Sequence, residues 1–91
     1  MITASEPFYQ ADVQVSPNPA EGFFTIKAKG LEGKATLRMV DVLGKTVYQT
    51  EATAEELTEG KVLNVSTQAS GMYFLQVVQG EKTKVVKVVL R

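Results

Sequence analysis

The sequence predicts an all-β fold, a sandwich of about seven short antiparallel strands, and three observations lead there. From residue 12 onward apolar and polar residues alternate, and no segment sustains a helical period. Valine, threonine and aromatic residues cluster in short runs separated by Gly, Pro or acidic stretches. The 91 residues allow one domain at most, and its core is near the smallest that folds without staples. Residues 1–12 are polar and mixed and read as a linker or a remnant of something upstream, with the domain proper over 13–91.

The first strand is expected at 8–15. It runs into Ser16-Pro17-Asn18-Pro19, where two prolines fix φ, remove backbone donors and push their predecessors toward extended geometry. Neither proline fits inside a ladder, so the prolines end the first strand and blunt an edge that other chains could pair with. Gly22 then lets the chain cross toward a second strand at 23–29. A third strand at 34–42 points Leu37 and Met39 inward, and Asp41-Val42-Leu43-Gly44-Lys45 turns into a fourth at 46–52, with Gly44 in the left-handed position. Thr53, with Glu56 three residues on, has the form of a capping box, predicting a single helical turn that Gly60 stops. A fifth strand is expected at 61–66.

The sixth strand, 71–79, is the clearest. Tyr73, Leu75 and Val77 share one face and are predicted core; Phe74, Gln76 and Val78 take the other. Gly80 makes a short hairpin into the last strand, 82–90, where Val86, Val88 and Leu90 oppose Val85, Lys87 and Val89.

Composition excludes more chemistry than it suggests. Without cysteine or histidine there is no disulfide, thiolate site, thiol nucleophile or ordinary serine triad, and metal binding is left to carboxylates and carbonyls. Asp12, Asp41 and the four glutamates of residues 51–59 lack calcium-loop spacing. Gly30-Leu31-Glu32-Gly33-Lys34 lacks the full spacing of a phosphate loop and is read as a polar turn. No catalytic residue, cofactor or metal is assigned. Ten basic and ten acidic residues cancel, which argues against nucleic acid held by a summed basic field.

The charges are unevenly placed: Glu51, Glu55, Glu56 and Glu59 have no basic residue among them, and Lys82, Lys84, Lys87 and Arg91 give the last ten residues only positive charge. A solvated strand face and a docking strand both fit that pattern. No apolar run approaches the roughly 20 residues a spanning helix needs, and MITASEP lacks the basic and apolar regions of a secretory leader, so the chain reads as cytosolic or as part of a longer exported one.

Four motifs in order resemble one known family. Val15-Ser16-Pro17-Asn18-Pro19-Ala20-Glu21-Gly22 comes first, then Met39-Val40-Asp41-Val42-Leu43-Gly44-Lys45-Thr46-Val47. Leu63-Asn64-Val65-Ser66 leads to Gly71-Met72-Tyr73-Phe74-Leu75-Gln76-Val77, and Lys87-Val88-Val89-Leu90-Arg91 closes the chain. Over residues 13–91 this is similar to the C-terminal sorting domain of the type IX secretion system, also called the Por secretion C-terminal domain. Pro17, Asn18, Pro19 and Gly22 match the first motif, Asp41 and Gly44 the central turn, Gly71 and Tyr73 the penultimate strand, and Lys87 with Arg91 the basic ending. Gln68, where an apolar residue is usual, and Arg91, where lysine is frequent, depart from the pattern.

The resemblance implies an immunoglobulin-like seven-stranded sandwich at the end of a secreted Gram-negative cargo, with no chemistry or cofactor of its own. The domain would direct cargo from the periplasm through an outer-membrane translocon to the cell surface. A sortase-like cysteine peptidase would cut on its N-terminal side, around Ser5 to Gln14, and the cargo would be joined to an anionic lipopolysaccharide. Recognition is expected on the last strand, at Lys84, Lys87, Val88, Val89, Leu90 and Arg91, by strand addition or by charge pairing. A monomer is expected, with a strand-mediated dimer left open. The alternative is an accessory adhesion or carbohydrate-binding sandwich, whose mark would be a row of exposed aromatic rings or a calcium site.

Overall fold

The computed structural model describes residues 12–91. Seven strands and one short helix follow in order: β1 (Asp12–Ser16), β2 (Phe23–Lys29), β3 (Lys34–Val40), β4 (Thr46–Thr53), α1 (Ala54–Glu59), β5 (Lys61–Asn64), β6 (Gly71–Gln79) and β7 (Lys82–Leu90). They form two antiparallel sheets, β1-β2-β5 and β4-β3-β6-β7. This is the immunoglobulin-like sandwich, with the fourth strand carried in the sheet of the third. The expected first strand overlaps β1, but residues 8–11 lie outside the described part.

Period-two alternation builds the core. Phe24, Ile26 and Ala28 of β2 and Leu63 of β5 face Leu37 and Met39 of β3, Leu75 and Val77 of β6, and Val88 and Leu90 of β7. Tyr73, Leu75 and Val77 are buried as the alternation predicts, and Phe74, Gln76 and Val78 lie on the half-exposed outer face. On that face Arg38 Nε donates to Gln49 Oε1 at 3.2 Å and its Nη1 to Gln76 Oε1 at 3.4 Å, a polar ladder across three strands.

Strand ends that differ from expectation have local causes. β3 stops at Val40, not residue 42, because Asp41 Oδ1 accepts from the N–H groups of Leu43 and Lys45, both at 2.9 Å, and so shapes the turn. Gly44 completes it at φ +87°. β5 stops at Asn64, not residue 66, because Asn64 Oδ1 accepts from the Ser66 N–H at 3.0 Å, an Asx-type turn.

The helical turn carries the predicted capping box. Thr53 Oγ1 accepts from the Glu56 N–H at 3.1 Å and Glu56 Oε1 accepts from the Thr53 N–H at 2.9 Å. The backbone donor of Thr53, together with the Lys61 ammonium, holds the Glu56 carboxyl below its ordinary pKa. Six residues are too few for a helix to persist alone, and Leu57, fully buried, ties this one to the core.

Candidate docking surface on the terminal strand

Tyr73 anchors β6, the strand that β7 pairs with. It stands opposite Val88 in the β6–β7 register, and its hydroxyl donates to the Ala69 carbonyl at 2.7 Å. A tyrosine near the start of this strand, bonded back to the chain a few residues upstream, is the tyrosine corner of immunoglobulin-like sandwiches. Gly71 opens β6 opposite Leu90.

The six residues expected to be recognised divide into two groups. Val88 and Leu90 point into the core, 0% and 4% exposed, so the folded domain does not present their side chains to a partner. Lys84, Lys87 and Arg91 are exposed, and Val89 is half-buried on the outer face opposite Met72. Among the described residues the single ion pair is Lys61 with Glu56, so the cations of β7 and Arg91 face solvent without a carboxylate partner.

The Pro17-Asn18-Pro19 corner determines how much of the β7 edge is open. β1 ends at Ser16, and the chain crosses from its own sheet to the edge of the other, where Ala20 bridges Leu90 in parallel. The Ala20 N–H donates to the Val89 carbonyl and the Arg91 N–H to the Ala20 carbonyl, both at 2.8 Å. Just ahead, the Asn18 side chain replaces a strand backbone. Its Nδ2 donates to the Lys87 carbonyl and its Oδ1 accepts from the Val89 N–H, both at 3.0 Å.

The corner therefore shields an edge, as predicted, but the edge is that of the last strand. Gly22, at φ +83°, then turns the chain into β2 while its carbonyl accepts from the Val65 N–H at 2.9 Å. The particular role of Asn18 is not in the sequence reading. Its signal was present, because between two residues that lack an N–H the asparagine amide is an available donor and acceptor pair.

Gln68, the departure from the family pattern, bonds instead of packing: its Nε2 donates to the Val47 carbonyl of β4 at 3.4 Å. The aromatic side chains form no exposed row among the described residues. Phe24 and Tyr73 are buried, Tyr48 packs against the core and Phe23 alone is exposed, at 50%.

A sandwich whose first-strand corner locks the closing strand, and whose tyrosine corner and Asp41 turn occupy the motif positions, agrees with the family comparison. The model of the secretion system C-terminal sorting domain matches residues 14–91. The chain belongs to that family. A type IX sorting domain is an export signal, which implies interaction with the secretion machinery and an upstream cargo. Among curated relatives, an endo-acting ulvan lyase of Formosa agariphila is 31% identical over 74 residues, 81% of this chain. The chain spans 14% of the length of that relative. No helix among the described residues is long and apolar enough to cross a membrane.

Proposed function

We propose that this sorting domain closes a longer exported cargo protein, does no chemistry of its own, and is recognised by the outer-membrane translocon through the exposed part of β7. The observation that carries this reading is a strand whose Lys84 and Lys87, followed by Arg91, stand in solvent without acidic partners among the described residues while alternate side chains in its second half are fixed in the core. A charged surface on a rigid scaffold steers and selects a complementary partner. Val88 and Leu90 contribute by holding that scaffold.

In this reading a sortase-like peptidase separates cargo from signal, and the cargo is retained at the cell surface. Asp12, Val13 and Gln14 are paired with Lys29, Ala28 and Lys27, so the cut falls before Asp12, a narrower window than residues 5–14. A peptidase needs an extended, accessible chain, which a paired strand does not offer. Mass spectrometry of the released domain checks this: a product beginning at or before Asp12 is expected, and one beginning after Asp12 contradicts it. The recognition reading is checked by fusing the whole chain to a periplasmic reporter in a bacterium with a type IX system. Removing residues 82–91 is expected to abolish display, and so is the full-length K84E/K87E/R91E substitution. Unchanged display by the folded triple variant would refute recognition through β7.

A further inference from the structure

The seal on β7 shows which of its backbone groups point away from β6. The Lys87 carbonyl, the Val89 N–H and carbonyl, and the Arg91 N–H are the groups bonded to Asn18 and Ala20. Strand geometry repeats every two residues, so the N–H and carbonyl of Thr83 and Val85, and the N–H of Lys87, face the same way. Among the described residues these groups have no hydrogen-bond partner: β7 pairs along its length with β6 alone, and the sealing segment reaches no further than Lys87. Among the described residues, a dedicated crossing segment closes one half of this edge and the other half is bare.

The geometry points to strand addition at residues 83–87 by an extended, carboxylate-bearing segment of the recognising protein, pairing as an eighth strand. This rests on the proposed reading of β7 as the recognition surface and adds the mode, the register and the chemistry of the partner. Backbone bonds would come from Thr83, Val85 and Lys87, whose side chains stand on the outer face opposite Val78, Gln76 and Phe74. Charge complementarity sets the partner's pattern: an acidic residue beside Lys84 on one face, an acidic residue beside Lys87 on the other, and an apolar one beside Val85, which is 51% exposed.

The same lysines discriminate against a second copy, because pairing β7 with β7 would set Lys82, Lys84 and Lys87 against like charges. The other edge of this sheet is a poorer acceptor. β4 runs directly into α1, and Gln68 already occupies its Val47 carbonyl.

The test separates this mode from the broader reading. Val85→Pro removes an outward N–H at an edge, where proline is tolerated, and Thr83→Pro is the second variant should the first not fold. With folding verified by urea denaturation, display of the reporter fusion is expected to fall about tenfold, the scale of one lost hydrogen bond and the pairing beside it. K84E/K87E is expected to fall at least as far.

Normal display of a folded proline variant with loss in K84E/K87E would overturn strand addition and leave charge pairing at β7 standing. Normal display of both would overturn the recognition reading too. Loss in the proline variant alone would overturn the acidic partner. In parallel, hydrogen exchange on the unmodified whole chain, mixed with a synthetic octapeptide centred on Glu-Val-Val-Glu, is expected to protect the Thr83, Val85 and Lys87 amides. No protection at millimolar peptide would overturn the inference. Protection that grows with the concentration of the chain alone would also overturn it, in favour of a second copy.

Discussion

The two halves of β7 are nearly alike in composition and opposite in circumstance. Residues 82–85 and 86–90 are both valine and lysine in short alternation, with one threonine in the first and one leucine in the second. Yet the first half is exposed throughout, while the second buries Val88 and Leu90 and has its edge covered by Asn18 and Ala20. What separates them lies more than sixty residues away in the chain, in a corner that crosses between sheets. The environment of a strand residue is set as much by what crosses it as by its own side chain.

The sharpest way to break this comparison is to place the same residue in each half. Val88→Asp buries an unpaired carboxylate in the core and should cost more than about 4 kcal/mol, enough to unfold a domain of this size. Val85→Asp should change stability by less than about 0.5 kcal/mol. Urea denaturation of the two variants measures both, and similar losses would remove the distinction.

A smaller effect tests the seal itself. Asn18→Ala deletes the two bonds to Lys87 and Val89 and should lower stability by about 1–2 kcal/mol. It should also speed exchange of the Val89 amide toward the rates of Thr83 and Val85. Unchanged exchange at Val89 would mean that the asparagine does not close the edge. Tyr73→Phe keeps the ring opposite Val88 and loses only the bond to Ala69, so about 1 kcal/mol is expected, with no change in exchange at residues 83–87. The smallest effect belongs to the open half: Lys84→Gln with Lys87→Gln should alter stability by less than about 0.5 kcal/mol while reducing surface display. A large loss of stability there would show that these lysines serve the fold.

Much of this architecture was legible because alternation reports burial directly. Leu37 and Met39 and the Tyr73-Leu75-Val77 face follow from period two alone. The capping box and the Gly44 turn were legible because their chemistry is local, within four residues of chain. What was not legible depends on contacts distant in sequence. Val88 and Leu90 read as part of a displayed ribbon because the motif that contains them ends in charge, and only the opposing sheet shows that their side chains are core. The strand ends at Val40 and Asn64 were overextended for a different reason. An Asx-type bond competes with the ladder, and the apolar Val42 and Val65 nearby suggested that the ladder continued.

The parallel register of Ala20 on Leu90 has a mechanical consequence. If cargo drags on the N-terminal end of the domain while its last residue is held, the two segments are pulled past each other along their length. The bonds from Asn18 and Ala20 to Lys87, Val89 and Arg91 are then strained side by side, so they must rupture together and cannot be unzipped one after another. A tag built this way resists tension along its tether better than it resists peeling from the side.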